Sequence, residues 1–396
     1  MMKIRVNWLG ACRVALAMVS MVSISTHAEP VVTPKAVVQG YSQLVHANYS
    51  DTLISTRAMQ VKILNFLNDP SEKTLGEARQ AWKDAREWYG QTEAFRFYSG
   101  PIDDDKGPEG RINAWPMDES FVDAVKGKAT AGLINNPKFR ITRAALIAQN
   151  ERGGEENIST GWHAIEFLLW GQDLDANGPG NRQYTDYVEG KAPNAARRAL
   201  YLKEATALLV DDLAGLVAAW EPSKPKNYRA RFEKGGLESV RKVLVGIGSL
   251  SRGELAGERL EVALFSKDQE DEHSCFSDNT HRDVVANAKG ILNVWQGQYV
   301  QADGQTLLVP SLAQWVAQKN QALADRTTGQ IQQTVERASA IQAPFDREIS
   351  GAATDPGPLR VKATIDSLVQ QATLLVESAS AVGIRRLTLS LPSSEK

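Results

Sequence analysis

The chain has 396 residues, with 45 Lys and Arg against 47 Asp and Glu and a net charge of −2 at pH 7. That slightly acidic balance excludes the concentrated positive field that nucleic-acid binding requires. Two cysteines exclude a disulfide scaffold, so packing must hold the core, and the length allows one large or two ordinary helical domains.

Residues 1–28 read as a secretory signal peptide. Lys3, Arg5 and Arg13 make a basic start, Val14 to Ile24 a short apolar run, and Thr26-His27-Ala28 a small-residue cleavage site. The run is too short to anchor, and no later stretch reaches the roughly 18 apolar residues of a membrane span. Leu9-Gly10-Ala11-Cys12 superficially resembles a lipidation box, but the apolar run follows Cys12 instead of preceding it. Removing the segment takes three basic residues and no acidic one, which moves the net charge from −2 to −5. It also leaves Cys275 as the one thiol, without a partner for an internal disulfide.

Residues 35–68 predict a long helix, with Val38, Tyr41, Val45, Tyr49, Leu53, Thr56, Met59, Ile63 and Phe66 at steps of three and four. Asp69 and Pro70 mark the next start. Residues 72–98 predict a second helix with two stripes. Ala78, Ala81, Ala85, Trp88, Thr92 and Phe95 form a small-residue packing face. Beside it, Trp82, Arg86, Tyr89, Glu93 and Arg96 form a charged, aromatic stripe, readable as a solvated charge ladder or as a sheltered site. Residues 99–117 are a Gly- and Pro-rich loop containing Asp103-Asp104-Asp105, long enough to be functional or mobile.

Short helices fit 118–126 and 137–149, a helix fits 160–170, and 171–191 is loop. A strong helix fits 193–220. Glu221-Pro222-Ser223-Lys224-Pro225 is the clearest linker, dividing the mature chain into an N-terminal bundle (32–222) and a C-terminal bundle (226–390). Helices then fit 236–249, 254–273, 280–299, 309–350, either whole or broken near Pro344, and 357–382, and a hairpin near 299–309 is the one strand candidate. The expected fold class is all-α, in two helical-bundle halves. A diverged duplication is one reading of the halves: Glu261, Phe265, Asp268, Glu272 and Cys275 repeat the earlier stripe and put Glu272 where Glu93 sits.

His163 and Glu166 lie three apart, one turn apart on one helix face, with Trp162, Ile165 and Leu169 beside them. Such a pair can share a metal ion, as helix-bundle sites do with further carboxylates from facing helices, or form a buried hydrogen bond that fixes packing. It is not the two-His zincin motif. If Glu166 ligates, no base remains; if it acts as base, one ligand remains. Peptidase chemistry therefore needs groups from elsewhere, and Glu93 is the best donor. A second cluster runs from Asp268 to His281. Its Glu272, His273, Cys275 and His281 suit zinc or copper, or else the segment is a helix end with a solvated acidic face and a buried Cys275. His46 reads as structural, and no phosphate loop or Gly-x-Ser-x-Gly elbow occurs.

Gly161-Trp162-His163-Ala164-Ile165-Glu166-Phe167-Leu168-Leu169-Trp170-Gly171-Gln172-Asp173 resembles the Gly-x-His-x-x-Glu signature of the imelysin family, also known as insulin-cleaving membrane proteases and iron-regulated protein A homologues. The likeness extends to Phe95–Asp103, Asn113–Glu119 and Glu272–Thr280, so it spans essentially the whole mature chain. The signature lands on Gly161, His163 and Glu166, and the flanking blocks mark Arg96 and Asp103, with Arg86 in the adjoining stripe, as support. The resemblance implies two helical-bundle halves, export to the periplasm or the outer-membrane surface, and a link to iron uptake. The expected function is an exported metal-binding protein with His163, Glu166 and Glu93 as ligands, iron as the metal and zinc next. Its expected partners are an iron-bearing ligand or a membrane iron-uptake component. The alternatives are a periplasmic metallopeptidase on the same motif and a non-catalytic partner-binding helical protein. Metal affinity is expected to fall below about pH 6 as the imidazole protonates.

Overall fold

Local capping sets the first two helices. In a computed structural model that describes residues 31–175 and 177–391, the Thr33 side chain accepts from Ala36 N and opens α1, Pro34–Asn68. Ser71 and Thr74 form a reciprocal capping box that starts α2, Glu72–Thr92. The long helices that follow are α3 (Gly161–Trp170), α4 (Ala195–Trp220), α5 (Leu237–Ser249), α6 (Thr280–Gln296), α7 (Gln321–Ala340) and α8 (Pro356–Ala381). The signal-peptide reading of 1–28 lies outside the described residues. Among the described residues, no helix is long and apolar enough to cross a membrane.

The fold is all-α. Its one described sheet is a two-stranded antiparallel hairpin, Gln298–Val300 with Thr306–Leu308, where the sequence placed a hairpin. α1 packs along α2 and α4, α2 along α6, and α7 against both α6 and α8. The Glu221–Pro225 segment turns between α4 and a short helix at Tyr228–Phe232. Helices from either side of that turn pack together, α1 on α5 and α2 on α6.

Four expected boundaries move. The 72–98 helix tightens into a 3-10 turn at Glu93–Phe95 and ends there, with Phe97 and Ser99 in left-handed conformations. The break expected at 250–253 is absent: α5 continues through a π-helical stretch, Leu250–Glu261, into Val262–Ser266. Gly253 belongs to that stretch, and a Cβ there would lie 2.6 Å from Ser390 O, so the small residue permits close approach and does not end the helix. The 254–273 helix stops at Ser266 because Lys267 turns left-handed, so Glu261 and Glu272 share no helix face. That removes the spacing argument for a duplicated stripe. The 309–350 helix divides into Leu312–Ala317, α7 and Asp346–Ile349.

Candidate functional site

Gly161 starts α3 at φ +82, a conformation that favours glycine. A Cβ at that position would lie 2.4 Å from Ile112 O. The backbone of the 109–112 turn therefore closes over the start of the helix, and all ten residues of α3 are buried. The Trp82 indole donates to Trp162 O at 3.2 Å, and the Tyr89 ring packs on Trp162 with centroids 5.4 Å apart. The charged stripe of α2 thus faces α3.

His163 and Glu166 are joined by a 3.0 Å hydrogen bond between Nδ1 and Oε2. Ser277 pins the other carboxyl oxygen, donating to Glu166 Oε1 from its backbone N at 3.0 Å and from its hydroxyl at 2.7 Å. Burial, reinforced by the Arg86 charge, holds the His163 imidazole neutral with a pKa of about 3. Burial pushes Glu166 up to about 8 against the opposing Ser277 bonds. The imidazole is therefore neutral well below pH 6, and the member of the pair that titrates near neutrality is the carboxyl. His163 Nε2 has no hydrogen-bond partner at 1% exposure.

Two ionic networks surround the pair. In the first, Arg86 donates to Asp283 at 2.8 Å and to Asn113 Oδ1 at 2.7 Å, and its guanidinium stacks over Trp82, Tyr89 and Trp162. His273 Nδ1 lies 2.7 Å from the same Asp283 oxygen, and the His273 ring meets the His163 ring edge to face at 4.8 Å. Burial acts to raise Asp283, but Arg86 and His273 overcome it and hold the carboxyl well below its usual range. In the second network, Glu93 Oε2 accepts from Arg96 at 2.7 Å and from Arg259 at 2.6 Å. Burial again opposes ionisation, and the two guanidiniums win, holding Glu93 well below the usual carboxylate range. Arg96 also reaches Glu109 at 3.0 Å, and Arg259 reaches Glu254 at 2.8 Å and Asn287 at 2.6 Å. Arg259 and Glu254 project from the π-helical stretch, an irregularity frequent at functional sites.

His163, Glu166, Arg86 and His273 thus come together at α3. Glu93 makes its hydrogen bonds to arginines, and it acts on His163 through its charge. Its Oε1 has no partner. Asp103 lies in the 97–103 turn, accepting from Phe97 N and from Gly100 N. The 268–281 cluster separates. His273 turns to Asp283, Glu272 lies beside Asp346, and His281 is half-buried. Burial, together with Glu166 and Glu270, keeps the Cys275 thiol protonated. His46 lies 3.7 Å from Glu221.

Among the described residues, the trio of His, Cys, Asp or Glu ligand atoms lying within 4.8 Å of one another is Asp173, Asp278 and Asp346. Burial and like charges raise all three, Asp173 to about 6 and Asp278 to about 7. Sequence reading did not single out these aspartates as a set, nor Asp283, Asn113 and Arg259. One signal was legible: Arg259 interrupts an otherwise apolar stripe of Leu255, Ala256, Leu260 and Ala263. Asp346 had none, because its partners are 68 and more residues away.

Residues 45–375 match the family model described as Imelysin. The chain is 25% identical over 358 residues to iron-regulated protein A of Synechococcus elongatus, covering 86% of each protein. Its fold matches the crystal structure of a putative iron-regulated protein A precursor from Parabacteroides distasonis with a TM-score of 0.67, at 18% identity and over 89% of this chain and 97% of that one. An imelysin-like protein from Psychrobacter arcticum matches with a TM-score of 0.62, at 16% identity and over 90% and 98%.

Proposed function

The chain belongs to the imelysin family, and from that premise we propose that it is an exported metal-binding protein of iron acquisition, with His163 at the centre of its metal site. The observation that carries this reading is the His163 Nε2 atom: buried, unpartnered, and on a ring whose other nitrogen is fixed by a carboxyl that Ser277 fixes in turn. Ligating histidines are commonly held in this way through the second ring nitrogen. His163 would hold the ion through Nε2. Glu166 would orient the ring or ligate beside it, and Glu93 would add charge and a free Oε1.

The charge balance supports the same reading. Of the named groups, Glu93, Glu109, Glu166, Glu254 and Asp283 face Arg86, Arg96 and Arg259. Burial pushes up two of these carboxyls, Glu109 and Glu166, and Glu166, raised to about 8, holds a proton near neutral pH. A bound cation would replace the Glu166 proton, and its binding would release it. A carboxylate-rich site with one or two imidazoles suits iron, with zinc next.

The full burial of His163 and Glu166 favours binding over peptide cleavage, which needs a path for an extended chain to the motif. A purely structural pair is the second reading. It draws on Arg86, whose charge opposes positive charge at His163. The iron link draws on the iron-regulated relative. We place the protein in the periplasm, peripheral to the outer membrane, with an iron-bearing ligand or an iron-uptake component as partner.

Calorimetric titration of the mature wild type, His163→Ala and Glu166→Ala with ferrous, ferric and zinc ions tests the proposal, with helicity checked in parallel. The expected result is at least tenfold weaker binding in His163→Ala with the helical signal intact. Equal binding by all three proteins would overturn it. Unfolding of both variants with unchanged metal content would establish the structural reading.

A further inference from the structure

We propose that Asp173, Asp278 and Asp346, with Glu272 alongside, form a separate, histidine-free site for a hard, oxygen-preferring divalent cation, calcium before manganese or magnesium. The three aspartates come from the loop after α3, the loop before α6 and the Asp346–Ile349 turn. Their ligand oxygens lie within 4.8 Å of one another. Two oxygens at opposite sides of a calcium ion, each about 2.4 Å from it, are about 4.8 Å apart, so one ion can touch all three carboxylates.

Two observations separate this cluster from an ordinary acidic surface. The aspartates are 3%, 8% and 8% exposed, and each has an oxygen without a hydrogen-bond partner: Asp173 Oδ2, Asp278 Oδ1 and Asp346 Oδ2. Glu272 is a fourth carboxyl at 1% exposure, and neither of its oxygens has a well-aligned donor. Asp346 and Asp278 are the charges that act on it most strongly. Buried carboxylates normally meet a cation or a donor. Lys83 acts on Asp278 and Arg347 on Asp346 through charge, without a hydrogen bond to either. Lys83 lies over the Trp170 ring, and Arg347 donates to Asn177 at 2.9 Å.

An all-oxygen donor set without thiolate or imidazole selects hard cations. The ion would staple three segments that are distant in sequence. Through the 275–279 loop, it would also steady Ser277, which holds Glu166. The site shares no ligand with the His163 proposal and stands or falls independently of it.

Chelator-treated mature protein is titrated with Ca2+, Mn2+ and Mg2+, following heat of binding and Tm, for wild type, Asp346→Asn, Asp278→Asn and His163→Ala. Wild type and His163→Ala are expected to bind one Ca2+ and to gain Tm on its addition. Both Asn variants should bind at least tenfold more weakly and lose that gain. In cation-free buffer, Asp346→Asn should raise Tm, because it removes like-charge repulsion. Absence of Ca2+ and Mn2+ binding at millimolar concentration in wild type would overturn the proposal, as would a wild-type Ca2+ response in both Asn variants. Should one Asn variant fail to fold, the other and the wild-type titration still decide.

Discussion

Two clusters of buried carboxylates lie in this molecule, and burial pushes on both in the same direction. Around Arg86 and Arg259, each of Asp283 and Glu93 meets a guanidinium within 2.8 Å, and both stay ionised despite exposures of 2% and 1%. Around Asp346, carboxylates meet carboxylates, and Asp278 at 8% exposure rises to about 7. Depth therefore does not decide the protonation state. The identity of the nearest charge does, since desolvation of a carboxylate is offset only by a paired and hydrogen-bonded cation. Asp283 and Glu93 find their compensating charge in neighbouring guanidiniums; the aspartate cluster leaves it to a proton or an ion.

Removing Arg86 breaks that comparison most severely. Arg86→Met would leave Asp283 buried without its cation and Asn113 without its donor. It should destabilise the fold by about 3–5 kcal/mol, measured by urea unfolding. A loss below about 1 kcal/mol would show that the network does not hold this region. Gly161→Ala tests the backbone that carries the motif. With φ +82 and Ile112 O in the way, it should cost about 2–4 kcal/mol, read as a fall in Tm without loss of helicity at low temperature.

Two matched substitutions sharpen the contrast by moving in opposite directions. Asp283 is held low, so its stabilisation is present above the unfolded carboxyl range near pH 4 and is lost as pH falls through its folded value. Asp283→Asn should be destabilised by about 1–3 kcal/mol between pH 5 and about 8. Asp278, raised to about 7, is neutral in the fold while ionised in the unfolded chain. Its contribution is present below about pH 4 and is lost as pH rises towards about 7. In chelator-treated buffer, Asp278→Asn should therefore gain on wild type over that window, by at most about 1.4 kcal/mol per pH unit, and level off above it. Parallel pH profiles for the two variants would contradict the comparison. The smallest effect belongs to an exposed pair: Arg326→Ala, which removes a 3.4 Å contact to Glu377, should change unfolding free energy by no more than about 0.5 kcal/mol.

The difference between the clusters also marks what the sequence could carry. The long helices were legible, since α1 runs Pro34–Asn68 where 35–68 was expected, because 3.6-residue periodicity and local caps fix them. The charged stripe of α2 left two readings open, and its burial against α3 decides for the sheltered one. The 254–273 helix was overextended, because its acidic composition does not reveal a left-handed Lys267. His163 and Glu166 could be paired from spacing alone. Their sheltering by His273 and Ser277 could not, because those contacts join segments over 100 residues apart. The aspartate trio is the extreme case: its members share neither a helix face nor a local motif.

The central claim is that His163 offers Nε2 to a metal, and 15N-histidine NMR of the protein tests it most directly. Zinc serves as the diamagnetic probe, and His163→Gln assigns the resonance. On zinc addition, the His163 Nε2 signal should move to a metal-bound position while Nδ1 carries the proton of its hydrogen bond to Glu166. A His163 ring whose nitrogens do not move while the protein binds zinc would contradict the account.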